Sequence, residues 1–228
     1  MPTIVMASSK GGCGKSTSAV VLATELALRG TAVTIIDVDP NQPITRWSRK
    51  PGKPETLTVV SDANESTLLD AIEAAEHQTP FVIVDLEGTA NLTVAQAISR
   101  ADLVVVPLKG STLDATEAVK AIRFIQLQER GYRRPIPFVL LFTQTSPTVR
   151  SRTLKAIEAD FQAQGIPALA TPLHDRDAYR AIFAFGGPVR DLDPKLVGGL
   201  AGAADNSRQF VSEVVAKLSS LNVQGSAA

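Results

Sequence analysis

A short glycine-rich segment near the start of the chain constrains its fold more than any other feature. Apolar residues Ile4–Ala7 are followed by Ser8–Thr17, which reads SSKGGCGKST, and then by a helical pattern over Ser16–Arg29. Glycines let such a loop curl until its N–H groups point inward, and the helix adds the positive end of its dipole. A loop in this position, between a buried strand and a helix, binds phosphate groups. The sequence therefore predicts an α/β protein with a phosphate site after its first strand.

The polar side chains of this loop suit a nucleoside triphosphate with Mg²⁺. We expect Lys15 to contact the β- and γ-phosphates, the Ser16 hydroxyl to bind Mg²⁺, and Thr17 to reach the α-phosphate. The strict phosphate-loop pattern has glycine where this chain has Ser9, and Lys10 adds a second lysine. The predicted cofactor-binding residues are Lys10, Gly11, Gly12, Cys13, Gly14, Lys15, Ser16 and Thr17.

Acidic residues follow two further apolar strands. One strand runs into Asp37 and Asp39, which share a face by the two-residue strand period, and Phe81–Val84 runs into Asp85. Carboxylates at the ends of parallel strands lie beside the ligand, where they can orient an attacking water or hold a metal ion. We expect Asp37 and Asp85 in the Mg²⁺ shell. An Asp-x-Asp-Pro turn at Asp37 and Asp39 and a helix cap at Asp85 are the structural alternatives.

Apolar runs of strand length recur along the chain, separated by segments of helical period. Strands are predicted at Thr3–Ala7, Ala32–Ile36, Leu57–Val60, Phe81–Val84, Leu103–Pro107, Pro137–Phe142 and Ala168–Thr171, and helices at Ser16–Arg29, Glu65–Ala75, Ala115–Arg130 and Ser207–Leu221. This alternation predicts a doubly wound, mostly parallel sheet with helices on both faces. We expect a single domain over residues 1–221, loop structure in Asp191–Asn206 and a flexible tail at 222–228.

Composition narrows the classes of function. Lys and Arg together number 23, as do Asp and Glu, so any contact with nucleic acid must come from a local patch. The single cysteine, Cys13, excludes an intrachain disulfide and a cage of several thiolates. We expect a cytoplasmic protein, because the chain shows neither a signal-peptide pattern nor an apolar stretch of about 20 residues.

The sequence resembles the ParA/MinD superfamily of deviant Walker A ATPases, whose signature Lys-Gly-Gly-x-Gly-Lys-[Ser/Thr]-Thr is matched by Lys10–Thr17. The resemblance spans residues 3 to about 190. Through Asn41–Trp47, Arg176–Arg180 and Phe185–Val189 it is closest to small ParA partition proteins and the ParA-like proteins of conjugative and T-DNA transfer systems. It implies ATP and Mg²⁺ as cofactors and an ATP-sandwich homodimer. In that dimer Lys10 would act across the interface, and Lys15 and Asp39 would be the other catalytic residues.

The resemblance also implies a task. Such relatives bind double-stranded DNA nonspecifically as ATP dimers on the nucleoid, and a stimulating protein on the cargo, ParB-like or part of a transfer complex, releases them. The candidate DNA contacts are basic residues that would hold phosphates, with a solvated charged surface as the alternative. They are Arg150, Arg152, Lys155, Arg176, Arg180 and Arg190.

Two other functions stay open. A MinD-like membrane-associated ATPase would need a basic amphipathic C-terminal helix, and the polar end of this chain is a poor anchor, so we expect no membrane partner. An ATP-dependent small-substrate ligase is the other.

Three positions depart from the family pattern or allow two interpretations. Glu87 stands where many relatives have a small residue, and Thr143-Gln144 stands where relatives place an adenine-binding Asn-Arg or Asn-Lys pair. Base recognition is therefore expected at Thr171–Asp175. Ser111 to Asp114 matches the family's Pro-x₃-Ser-x-x-Asp pattern and also has capping-box spacing, which favours a helix cap.

Overall fold

The computed structural model describes residues 1–88 and 91–225, which form a parallel sheet flanked by helices. The strands are β1 (Thr3–Met6), β2 (Val33–Asp37), β3 (Leu57–Val60), β4 (Phe81–Asp85), β5 (Leu103–Lys109), β6 (Phe138–Thr145) and β7 (Leu173–His174). The helices are α1 (Lys15–Ala27), α2 (Pro43–Ser48), α3 (Leu68–Gln78), α4 (Leu92–Arg100), α5 (Thr112–Tyr132), α6 (Arg152–Ala163), α7 (Asp177–Phe185) and α8 (Leu200–Gly225), with a 3-10 turn at Val189–Asp191.

The seven strands lie in the order β3-β2-β4-β1-β5-β6-β7, and every neighbouring pair is parallel. The predicted doubly wound sheet is confirmed. Because all strands run the same way, the residues that follow β1, β2 and β4 meet at one edge of the sheet. The phosphate loop and the two predicted acidic strand ends are therefore neighbours.

Side chains alternate between two cores along each central strand. In β1, Ile4 and Met6 pack into the core that α1, α7 and α8 cover, whereas Val5 packs into the core under α3 to α6. All three side chains are fully buried. A strand that is covered on both faces must be apolar at successive positions, which is the pattern that the sequence carries.

The seventh strand is shorter than predicted and lies further along the chain. Instead of Ala168–Thr171, the ladder uses Leu173–His174, and Ala168 makes only an isolated bridge to Leu140. The N–H groups of Ala170 and Thr171 donate instead to the Glu213 carboxylate of α8, at 2.6 and 2.8 Å. A contact with a distant helix thus replaces the expected strand pairing.

The last helix starts earlier and ends later than predicted. The helix begins at Leu200, so the loop predicted for Asp191–Asn206 is wrong from Leu200 onward. The helix ends at Gly225, so it includes the first residues of the tail predicted for 222–228. Ala203 is fully buried, and the Asn206 side chain accepts a hydrogen bond from the His174 N–H and donates one to the Pro172 carbonyl. These tertiary contacts hold the first turns of α8. Residues 226–228 lie outside the described residues.

None of the helices in the described ranges combines the length and apolarity that crossing a membrane requires.

Candidate nucleotide-binding site

The phosphate loop places its two lysines in opposite environments. Gly12 and Gly14 have φ values of 72° and 96°, which let the backbone turn tightly into α1. The Lys15 side chain is buried, and its ammonium donates to the Lys10 carbonyl at 3.1 Å. The Lys10 side chain leaves the loop and stays 47% exposed. One ammonium thus lies inside the loop and the other on its outer surface.

An ion pair holds the outer lysine. Lys10 Nζ lies 3.0 Å from Oδ1 of Asp114, in the first turn of α5. The Ser111 hydroxyl accepts from the Asp114 N–H, so the predicted helix cap is confirmed. Burial opposes ionisation of Asp114, but hydrogen bonds from Ser111 and Lys10 outweigh it and lower the pKa of this carboxyl. Asp114 is therefore charged at neutral pH and attracts Lys10 within one chain.

Residues from two other strands buttress the loop from behind. The Thr143 hydroxyl donates to the Cys13 carbonyl at 2.6 Å, and Gln144 Nε2 donates to the Gly12 carbonyl at 3.2 Å. A Cβ on Gly88 would lie 2.8 Å from the carbonyl carbon of Lys10, so only glycine fits there. The shape of the phosphate loop thus depends on Thr143 and Gln144 near the end of β6 and on Gly88 after β4.

Asp37 and Asp85 are aligned on neighbouring strands. They are register partners of β2 and β4, and Asp85 is also the partner of Met6, which faces α1. Both carboxylates are buried, and neither oxygen of Asp85 has a hydrogen-bond partner within the described residues. Burial raises the pKa of Asp85 to about 7, while the nearby Ser16 hydroxyl and Lys15 ammonium oppose that rise.

These features fit a cation better than they fit a helix cap. Two orphaned carboxylate oxygens beside the Ser16 hydroxyl are the hard oxygen donors that Mg²⁺ takes. Asp37 has one such free oxygen, Oδ1, while its Oδ2 accepts from the N–H and hydroxyl of Thr45 at 2.7 and 2.8 Å. Burial also raises the pKa of Asp37, although the Thr45 bonds lower it. Asp37 therefore links α2 to the edge of the sheet at which the phosphate loop lies, which we call the nucleotide edge.

Asp39 takes part in a turn and borders a polar cavity. Its Oδ1 accepts from the N–H and the side-chain amide of Asn41, and its carbonyl accepts from the Gln42 N–H. The turn contacts considered from the sequence are thus present, and the side chain stays partly exposed. The cavity has a volume of about 340 Å³, and its lining also includes Asp37 and Glu87. Its position at the strand ends leaves room for a water molecule beside Asp39.

A second cavity, of about 150 Å³, opens beside the phosphate loop. It is lined by Gly14, Thr17, Ser18, Thr143, Gln144, Leu173, His174, Asp175, Arg176, Tyr179 and Arg180. Because Thr17 is the predicted α-phosphate contact, a base and ribose would lie in this direction. The loop expected to recognise the base contributes Leu173, His174 and Asp175. Burial, followed by the charges of Arg176 and Arg150, lowers the pKa of His174, so its ring is neutral at neutral pH.

The six candidate DNA-binding residues fall into different surroundings. Arg152 and Lys155 are exposed at the start of α6. Arg150 pairs with Glu158 at 3.4 Å, Arg180 with Asp175 at 2.5 Å and Arg190 with buried Glu25 at 2.6 Å. Arg176 and Arg180 line the cavity beside the phosphate loop. Three of the six thus pair with a carboxylate within the chain.

Two contributors to this site were given no role in it from the sequence. Thr45 holds Asp37, and Glu117 accepts a hydrogen bond from the Ser9 hydroxyl at 2.8 Å through its side chain. For Asp114 the sequence favoured a helix cap, with the family pattern as the other interpretation, and the ion pair with Lys10 was not predicted. Trp47 is 1% exposed and donates to the Gly187 carbonyl, so it packs in the core.

Known proteins resemble this chain both in sequence and in fold. A family model described as VirC1 protein matches residues 1–187. The chain is 41% identical to protein ParA of Rhizobium radiobacter over 218 residues, covering 96% of this chain and 98% of that protein. Apo McdA from Cyanothece superposes with a TM-score of 0.73 at 15% identity, covering 91% of this chain and 99% of McdA. A Borrelia burgdorferi putative plasmid partition protein bound to AMPPNP superposes with a TM-score of 0.68 at 16% identity, covering 95% and 99%.

Proposed function

Because this chain belongs to the VirC1 family, within the ParA/MinD superfamily of ATPases, we propose that it works as an ATP-gated homodimer that positions a cargo on DNA. ATP and Mg²⁺ bind at Lys10–Thr17, and two protomers close around two nucleotides. The ATP dimer binds double-stranded DNA nonspecifically on the nucleoid in the cytoplasm. A protein on the cargo stimulates hydrolysis and releases it.

The observation that carries the dimer is the separation of the two lysines. Lys15 is buried within the loop, so it can serve the nucleotide of its own protomer. Lys10 points away from that loop and is half exposed, so its charge can reach a second molecule once it leaves Asp114. A cation supplied across an interface can neutralise the charge that develops on the transferred phosphate, as an arginine finger does.

The acidic residues bind the metal ion and orient the attacking water. Asp85 and Ser16 hold Mg²⁺, with Asp37 beside them, and the ion neutralises charge on the β- and γ-phosphates. Asp39 orients the attacking water from its place at the edge of the polar cavity. The cavity lined by Gln144, His174 and Asp175 receives the base.

Sedimentation of the full chain with ATP, ADP or AMPPNP tests this proposal. We expect a dimer with ATP or AMPPNP and a monomer with ADP. Lys10→Ala should still bind ATP through Lys15 yet remain monomeric, whereas Lys15→Ala should lose nucleotide binding. Lys195→Ala removes an exposed lysine far from the loop in sequence and serves as the control. An ATP dimer of Lys10→Ala as stable as that of the wild type would eliminate the role across the interface.

The DNA step needs a separate measurement. We expect ATP, and not ADP, to promote binding to an arbitrary duplex at low salt, with an affinity that falls steeply as salt is added. Equal binding with both nucleotides, or none with either, would remove DNA coating from the proposal while leaving the ATP dimer intact.

A further inference from the structure

Four basic residues are concentrated in and just after α2. Arg46, Arg49, Lys50 and Lys53 lie within eight residues, and no acidic residue interrupts them. The chain as a whole has a formal net charge of zero, so this density of positive charge is local. We call these four residues the α2 basic patch.

No carboxylate of the described residues neutralises the charges of this patch. Arg46 and Arg49 are exposed, and within residues 1–88 and 91–225 neither guanidinium has a hydrogen bond or an ion pair. Lys50 donates to the Ala184 carbonyl at 2.8 Å and Lys53 to the Leu57 carbonyl at 2.5 Å, but no carboxylate pairs with either. Arg190, by contrast, is committed to Glu25. The patch therefore presents positive charge to solvent.

A rigid support holds the patch in place. The apolar side of α2 is in the core, with Ile44 fully buried and Trp47 1% exposed and bonded to the Gly187 carbonyl at 3.3 Å. At the other end, Thr45 donates twice to Asp37 at the nucleotide edge. Because its apolar side is already packed, α2 cannot insert into a lipid layer as an amphipathic helix does. Its outer surface fits a partner that is recognised by charge alone.

We propose that the α2 basic patch contacts the phosphate backbone of duplex DNA. Arginine and lysine side chains hold phosphates without reading bases, so such contacts give binding that is independent of sequence and sensitive to salt. This inference rests on the proposed DNA-coating function and assigns its contact surface to residues other than those predicted from the sequence. Through Thr45, which bonds to Asp37, α2 connects the patch to the nucleotide edge.

Salt titration of binding to an arbitrary duplex, with ATP and Mg²⁺ present, tests the assignment. Removing two phosphate contacts should reduce the slope of log K against log salt by roughly 2. We expect this reduction for Arg46→Ala/Arg49→Ala and little change for Arg46→Lys/Arg49→Lys. The matched control is Arg123→Ala/Arg130→Ala, which removes two exposed charges from α5 and should leave the slope near that of the wild type. Circular dichroism and thermal unfolding verify that each variant is folded.

The outcomes separate this inference from the proposed function. If the wild type binds DNA with ATP and Arg46→Ala/Arg49→Ala keeps its affinity and slope, the patch is not the contact surface and the proposed function stands. If the wild type shows no ATP-dependent binding, both fail. Pelleting with vesicles that contain phosphatidylserine tests a membrane surface as the partner instead. If Arg46→Ala/Arg49→Ala loses vesicle binding but keeps DNA binding, the inference is also refuted.

Discussion

Replacing Asp114 with Asn tests whether the contact with Lys10 competes with dimerisation. Lys10 can reach a second protomer only after it leaves Asp114, so the ion pair within one chain opposes the ATP dimer. The pair joins a carboxylate that is 6% exposed to a lysine side chain that is 47% exposed, and solvent screens it accordingly. Exposed pairs contribute about 0.2–1 kcal/mol. Each of the two protomers carries one such pair, so removing both, worth about 0.4–2 kcal/mol together, should tighten the ATP dimer about 2- to 30-fold.

The substitution also removes a charge from the first turn of α5, which a control must match. A favourable interaction with the helix dipole there contributes about 0.3–1 kcal/mol to stability. Asp70 is an exposed acid in the first turn of α3 and has no ion pair within the described residues. Asp70→Asn should therefore lower stability by a similar amount without changing dimerisation.

The assay is sedimentation velocity over a range of protein concentrations with AMPPNP and Mg²⁺. Asp114→Asn should shift the dimer dissociation constant downward, and the shift should shrink at 1 M salt, because screening already weakens the pair. Equal dissociation constants for Asp114→Asn and wild type at low salt would refute the reasoning. A weaker dimer of Asp114→Asn, at a stability similar to that of Asp70→Asn, would also refute it.

Three further predictions concern Asp85, Gly88 and the ion pair of Arg190 with Glu25. Asp85 keeps its proton in the folded protein up to about pH 7 but loses it near 3.8 when unfolded, so stability falls as pH rises between these values. In urea unfolding without nucleotide or metal, Asp85→Asn should therefore raise the free energy of unfolding at pH 8 by at most about 4 kcal/mol, and much less near pH 3. Gly88→Ala places a Cβ against the backbone of the phosphate loop and should weaken ATP binding, measured by calorimetry, by about tenfold or more. A Cβ at Gly131 meets nothing within 4 Å, so Gly131→Ala should leave ATP binding unchanged. Arg190→Ala leaves the buried carboxylate of Glu25 unpaired and should lower the free energy of unfolding by about 2–3 kcal/mol; a change below 0.5 kcal/mol, roughly that of an ordinary surface substitution, would contradict this.

Local sequence was enough to predict the fold class and the core of the site. The phosphate loop is one continuous segment whose glycines, lysines and flanking elements specify its conformation together. Asp37 and Asp85 could be predicted because each directly follows an apolar strand, and parallel strands bring such positions to one edge. Strand and helix periods report burial, so six of the seven strands were placed to within a few residues of their observed ends.

Contacts between distant parts of the chain were decided only by the tertiary structure. Lys10 and Asp114 are 104 residues apart, and Arg190 and Glu25 are 165 apart, so no local pattern encodes either pair. The seventh strand was misplaced because Glu213 of α8 binds the N–H groups that a strand would have used.

The same division applies to charge. The sequence alone determined a phosphate loop with two lysines, because their spacing is local. Only the fold decided that Lys15 is enclosed while Lys10 is held outside by Asp114. Only the fold decided that Arg190 is paired while Arg46 has no ion pair within the described residues. The physical reason is that the role of an ionic side chain depends on burial and on its partners, and both arise only when distant elements pack together.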